Sequence, residues 1–139
     1  SFFVESLGAP LDPLYEHGNW CGTGRMMAVD QRGNFYPCNR FMENALGIHR
    51  PRTIGNIESG IDENLRRPFL LLSRSTQSPP ECMACDVASG CAWCPGQSYD
   101  ACGGETIYKR STANCAFHKA TVRAKNYYWS RVSQATGEG

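Results

Sequence analysis

The sequence is short of charge, of long apolar runs and of sustained periodicity. Only 19% of its residues are Asp, Glu, Lys or Arg, and the formal net charge is +1. A general nucleic-acid binder carries a large positive excess to neutralise phosphates, so that class is excluded. The longest strongly apolar stretch is Phe69 to Leu72, flanked by Arg67 and Arg74. A bilayer span needs about 20 such residues, so no membrane segment is expected. No basic, apolar, small-residue signal peptide opens the chain, which begins at Ser1. That start reads as a cut from something larger, and a cytoplasmic setting is expected. Neither an internal repeat nor a low-complexity tract is present. With 14 glycines and 8 prolines in 139 residues, long helices or strands cannot account for most of what is one domain's worth of protein.

What is there is cysteine: Cys21, Cys38, Cys82, Cys85, Cys91, Cys94, Cys102 and Cys115. An even count permits four disulfides or two complete four-thiolate metal sites. Spacing has to decide. Cys82-x2-Cys85 and Cys91-x2-Cys94 are two metal-knuckle spacings within 13 residues. Cysteines two apart make a strained ring if bridged to each other, which disfavours a disulfide scaffold. A zinc ribbon separates its pairs by about 15 to 20 residues, so the short gap between Cys85 and Cys91 fits a ribbon poorly.

The rest of the chain arranges itself around these residues. Residues 1–20 hold Gly8, Pro10, Pro13 and Gly18 and read as a lead-in. Met26 to Val29 and Asn34 to Tyr36 read as two strands joined by a turn at Asp30 to Gly33, with Gly33 suited to positive φ. Such a hairpin brings Cys21 and Cys38 together at its open end. Ile54 to Ile57 is expected as a short strand or turn. Ile61, Leu65, Phe69 and Leu72 have helical spacing, with Asp62 and Glu63 at the favourable end and Pro68 expected to kink or break the helix. From Cys82 to Cys102 there is no periodicity, and such a loop needs a metal or cross-link for order. After Cys115 the pattern is helical. Ala116, Ala120, Val122, Ala124, Tyr127, Tyr128 and Val132 form its expected apolar face, and Lys119, Arg123, Lys125 and Arg131 a basic one. The expected fold is a small α+β domain, irregular and organised by metal, with an N-terminal β-hairpin and a C-terminal α-helix.

Counting constrains the sites. The hairpin offers only Cys21 and Cys38, so a closed four-thiolate site takes two more ligands from the second half, and two sites would be interleaved. His17, His49 and His118 sit at no ligand spacing from the cysteine pairs; His118, three residues after Cys115, is the nearest to one.

The order Cys21, Gly33, Cys38, a gap, Cys82-x2-Cys85-x5-Cys91, Cys94, a gap and Cys115 resembles the SPASM domain. Gly33-Asn34-Phe35-Tyr36-Pro37-Cys38 and Ile54-Gly55-Asn56-Ile57 are also similar to the wording of such domains. SPASM domains lie at the C-terminal end of many radical S-adenosylmethionine (radical SAM) enzymes and bind auxiliary [4Fe-4S] clusters. The wording is similar to maturases of ribosomally made, cysteine-containing peptides (RiPP enzymes). The resemblance implies two [4Fe-4S] clusters. Cys82, Cys85, Cys91 and Cys115 would hold the second, and Cys21, Cys38 and Cys94 the first. The chain departs from the pattern in having two residues between Cys91 and Cys94, where three are usual. Cys102 lies outside the seven-cysteine pattern. It is either the fourth ligand of the first cluster, the set taken here, or spare beside an open iron.

The resemblance further implies that residues 1–20 lead in from an upstream catalytic domain, that 21–134 are the SPASM-like domain and that 135–139 fray. The Cys-x3-Cys-x2-Cys motif that cleaves S-adenosylmethionine does not occur. No catalytic residue is therefore expected here, and S-adenosylmethionine belongs to the parent enzyme. The implied partners are a ribosomally made precursor peptide and the upstream radical SAM domain, without nucleic acid or membrane. Electron transfer, substrate-peptide placement and support of the fold are the implied roles.

Arg25, Arg40, Lys109 and Lys119 are candidate counter-charges to the clusters, and Gly22, Gly24, Gly90 and Gly96 would let backbone amides approach sulfur. Trp20, Trp93, Tyr99, Tyr127, Tyr128 and Trp129 read first as core or cover, and second as a peptide-binding face. The alternative function is a zinc-binding interaction module with no redox role, because eight thiolates hold two Zn²⁺ equally well and zinc can substitute in an isolated fragment.

Overall fold

A computed structural model describes residues 7–12, 21–47 and 50–137. His17, Trp20 and His49 lie outside the described residues. The chain is α+β: a four-stranded antiparallel sheet, a series of short helices and a long C-terminal helix. It divides into two compact units. Unit 1 comprises 1–12, 80–92 and 112–139, and unit 2 comprises 13–79 and 93–111.

Unit 2 carries the sheet. Strands β1 (Ala28–Val29) and β2 (Asn34–Tyr36) form the expected hairpin, with Ala28 opposite Tyr36. Gly33 takes φ 81 in the turn and donates its N–H to the Asp30 carbonyl. Strands β3 (Gly55–Asn56) and β4 (Gly60–Ile61) extend the sheet in the order β1-β2-β3-β4. Asp30 is the polar hub of the first turn. Its carboxylate accepts from the Arg32 and Asn34 backbone N–H groups, the Asn34 side-chain amide and the Tyr36 hydroxyl, all at 2.8–3.0 Å. The Asn34 side-chain bond contributes most to holding the carboxyl at about 2, below the ordinary 3.8. Burial, followed by the Asp30 contact, pushes the Tyr36 phenol up. A lowered carboxylate pKa gives stability that is complete above the unfolded value and is lost as pH falls through the folded one. The hairpin should therefore loosen as pH drops from about 4 towards 2. Asp30→Asn should flatten that acid limb, measured by the chemical shifts of the Phe35 and Tyr36 amides. An unchanged limb in the variant would show that the turn does not depend on the charge.

Beyond β4, Asp62 caps helix α1 (Glu63–Leu71) by accepting from the Asn64 and Leu65 N–H groups. Pro68 does not end this helix as expected; the chain remains helical to Leu71. Proline removes the bond to the carbonyl four residues back. That carbonyl belongs to Asn64, in the exposed first turn, where water can serve it. Phe69 and Leu72, both 1% exposed, anchor the C-terminal end in the core. That core comprises Cys38, Phe41, Ile54, Phe69, Leu72, Tyr99 and Ile107. Its aromatic centre sets Phe41 edge-on to Phe69 (5.1 Å between centroids) and 5.4 Å from Tyr99. Arg52 lies over both Phe69 and Tyr99. Helix α2 (Arg74–Gln77) follows with a capping box on Ser73. Its last residue is a buried connector: Gln77 accepts from the Trp93 indole N–H and donates to the Ile107 carbonyl at 2.8 Å.

The stretch 82–102 is less irregular than its lack of periodicity suggests. Helix α3 (Pro80–Met83) runs into it and α4 (Pro95–Ala101) closes it. Cys94-Pro95 is a cap followed by proline at the first helical position, where its absent N–H costs nothing.

Unit 1 is organised by helix α5 (Cys115–Thr136). Its buried stripe is His118, Val122 and Lys125, of which Val122 alone lies on the expected apolar face. Ala116, Ala120, Ala124, Tyr127 and Tyr128 are exposed, while Lys125 is 7% exposed. The reason is polar: Lys125 Nζ donates to the Leu7 carbonyl at 2.7 Å, so its aliphatic stem is buried and its ammonium bonded. Residues 7–12, expected as lead-in, belong to this unit. Gly8 donates to the Ser89 carbonyl and Ser89 to the Ala9 carbonyl, pairing this segment with the loop between Cys85 and Cys91. The helix also runs past residue 135, the expected start of fraying, and ends at a left-handed Gly137. Among the described residues no helix is long and apolar enough to cross a membrane.

Candidate metal centres

The division into units sorts the cysteines. Cys21, Cys38, Cys94 and Cys102 fall in unit 2, and Cys82, Cys85, Cys91 and Cys115 in unit 1. The resemblance implies Cys82, Cys85, Cys91 and Cys115 as one set and Cys21, Cys38 and Cys94 as the other, and Cys102, outside that pattern, falls in the unit of the second group. The change of unit falls between Ala92 and Trp93, so Cys91 and Cys94 separate although they are neighbours in sequence. None of the eight is joined in a disulfide.

In unit 2 the open end of the hairpin is tied by the Gly24 N–H donating to the Pro37 carbonyl at 3.0 Å. Gly24 has φ 86, and a Cβ there would come within 3.0 Å of the Phe69 Cβ, so only glycine suits the position. This tie sets Cys21 and Cys38 on neighbouring chain segments. Cys38 is buried at the start of a 3-10 turn, Asn39–Phe41. Burial is the largest influence on its thiol and pushes its pKa up. The nearby Arg40 N–H and Thr23 hydroxyl pull the other way, while Cys94 and Cys21, near enough to act electrostatically, add to the upward push. Cys21 Sγ lies 3.1 Å from Thr23 Oγ1. Cys94 Sγ caps α4, accepting the Gln97 N–H at 3.4 Å. Cys102 belongs to the same unit with its thiol turned onto its own loop, donating to the Tyr99 and Thr106 carbonyls at 3.2 and 3.3 Å.

In unit 1 the knuckle Cys82–Cys91 turns through Ala88 N–H to the Cys85 carbonyl and Cys91 N–H to the Ala88 carbonyl. Cys115 is the first residue of α5, and one turn later the buried His118 bonds through Nε2 to the Val87 carbonyl. His118 therefore fastens the knuckle to the helix that begins with Cys115. With Nε2 acting on a carbonyl, the ring serves as a structural donor there.

Among the described residues, no three His, Cys, Asp or Glu side chains form a group that could hold a metal ion. Around one tetrahedral Zn²⁺, at a Zn–S length of 2.3 Å, sulfurs lie about 3.8 Å apart. A [4Fe-4S] core takes its four thiolates on four different irons and so needs them farther apart. The donor chemistry suits such a core: soft thiols in two sets of four, with Cys94 Sγ already accepting the Gln97 N–H.

Sequence reasoning placed the amide donors on glycine, whereas the partners found at sulfur are the Gln97 amide on Cys94 and the Thr23 hydroxyl on Cys21. Gly90 and Gly96 instead allow close packing: a Cβ at Gly90 would meet Leu7, and one at Gly96 would meet the Arg40 side chain. The cap signal Cys94-Pro95 could have identified Gln97, three residues after Cys94. Thr23 carried no sequence signal beyond its closeness to Cys21. Of the aromatic candidates, Trp93 and Tyr99 are core, while Tyr127 and Tyr128 are exposed on α5. Arg25, Lys109 and Lys119 are exposed; Arg40 is exposed too, though its backbone reaches Cys38. No family model, curated protein or solved structure matches the chain.

Proposed function

We propose that the chain is an auxiliary iron–sulfur domain of a cytoplasmic radical SAM enzyme that modifies a ribosomally made peptide. Two [4Fe-4S] clusters would organise its fold, held by Cys21, Cys38, Cys94 and Cys102 in one set and by Cys82, Cys85, Cys91 and Cys115 in the other. The observation that carries this reading is the agreement between those sets and the two units of the fold. Each unit contributes four thiols, although their sequence order is interleaved. When bound, such clusters supply one-electron redox chemistry at thiolate-held iron. The protein's part is to bury Cys38, to aim N–H and O–H donors at sulfur and to fix the spacing of the ligands. The S-adenosylmethionine site and the precursor peptide's principal contacts belong to the upstream domain.

The test is metal and sulfide content of the chain prepared and reconstituted without oxygen. About eight iron and eight sulfide per chain are expected. About two zinc with no sulfide after reconstitution would overturn the reading and favour a zinc interaction module.

A further inference from the structure

Thr23 stands out among the residues around the unit 2 cysteines. It is 3% exposed, two residues from Cys21 and on the segment tied to the other side of the hairpin. A buried hydroxyl costs free energy unless it is bonded, and valine would fill nearly the same volume without that cost. Its Oγ1 is 3.1 Å from Cys21 Sγ, within hydrogen-bond distance. The Gln97 N–H on Cys94 is a backbone donor, which a change of side chain other than to proline leaves in place. Thr23 brings a side-chain donor to this sulfur group. When the cysteines are thiolates they can only accept, so the hydroxyl must donate.

We propose that the Thr23 hydroxyl is a positioning and tuning group for the centre held by Cys21, Cys38 and Cys94, stabilising its more negative, reduced state. The inference rests on the iron–sulfur reading above. One electron from an added reductant such as dithionite takes a [4Fe-4S]²⁺ core to [4Fe-4S]⁺, adding one negative charge that spreads onto the thiolate sulfurs. A hydroxyl dipole aimed at those sulfurs favours the added charge and so raises the reduction potential. Removing it should lower the potential of this centre and leave that of the unit 1 centre, held by a different set of cysteines, unmoved.

The experiment is a dithionite titration of the anaerobically reconstituted chain, followed by EPR, for wild type, Thr23→Val and Thr23→Ser. Iron and sulfide are assayed first. The expected result is full iron in all three, with one of the two reductive transitions moved to lower potential in Thr23→Val and restored in Thr23→Ser. Loss of one centre's iron in Thr23→Val alone, with Thr23→Ser intact, would also support the role of the hydroxyl. Thr23→Val with full iron and both transitions unmoved would overturn the inference while leaving the iron–sulfur reading standing. Equal loss of iron in both variants would overturn it too, since packing and not the hydroxyl would then matter. Wild type that takes up no iron and sulfide would overturn the iron–sulfur reading itself, and the inference with it.

Discussion

Replacing Cys85 by alanine is expected to remove half of the chain's iron and sulfide, from about eight of each to about four, and to leave the other half with its spectra intact. Replacing Cys38 should do the same to the other half. The expectation follows from the division of ligands between units. Cys85 belongs to the knuckle of unit 1, which the Gly8–Ser89 pairing, His118 and helix α5 hold in place. Cys38 belongs to the core of unit 2, with Phe41, Ile54 and Tyr99. A lost thiolate leaves a centre short of a ligand and removes the binding free energy that orders its loop. The knuckle holds one short helix, α3, so under the proposed reading it should lose the most order when its centre is lost. The measurements are iron and sulfide per chain, the EPR of the reduced protein, and amide exchange in each unit. Cys85→Ala should open amides in 82–92 and at the start of α5, while the sheet remains protected. If each substitution removed all the iron, the two sets of four would be wrong. Cys102→Ala then divides the alternatives at the first centre. Loss of its iron supports four cysteine ligands, whereas full iron and unchanged spectra support three with an open iron.

The parts of this fold legible in the sequence are those fixed by local chemistry. Asp30 to Gly33 announces a turn because glycine reaches positive φ and aspartate bonds the backbone ahead of it. The flanking segments pair as strands, and Cys21 and Cys38 follow to the open end. Asp62 announces a helix start for a similar reason. Illegible parts depended on partners distant in sequence. Lys125 looks like a solvated basic residue until the Leu7 carbonyl, 118 residues away, is brought to its ammonium. That contact also turns residues 7–9 from a lead-in into part of unit 1. Pro68 reads as a break until the tertiary anchors Phe69 and Leu72 hold the helix beyond it. The hydrogen bonds at the cysteine sulfurs were not legible either. Thr23 is an ordinary threonine in a loop until burial makes its hydroxyl costly and a sulfur answers it.

Replacing Phe41 by alanine is expected to cause the largest loss of stability of any single core change near the first centre. The ring is fully buried, packs against Phe69 and Tyr99, and lies in a unit whose core is small. Deleting a buried phenylalanine to alanine costs about 3–5 kcal/mol, from lost transfer free energy and the cavity left behind. Against a typical total of about 5–15 kcal/mol, that is a large share. The effect reaches the metal site through the backbone. Phe41 closes the 3-10 turn that starts at Cys38, donating its N–H to the Cys38 carbonyl at 3.1 Å, and its own carbonyl accepts the Arg52 N–H. The same turn carries the Arg40 N–H, which works against burial in lowering the Cys38 thiol pKa. Losing the ring therefore frees the turn that fixes a proposed ligand, Cys38. In urea titrations of the reconstituted chain, the unit 2 transition, followed by the fluorescence of buried Trp93, should shift to lower denaturant without a change in slope. Iron at the first centre should be lost to a chelator faster, while the unit 1 centre keeps its rate. Phe41→Leu, which leaves a smaller cavity, should fall between. A cost below about 1 kcal/mol in Phe41→Ala would mean that the cluster of Phe41, Phe69 and Tyr99 does not hold this unit together, and that the turn at Cys38 takes its order from elsewhere.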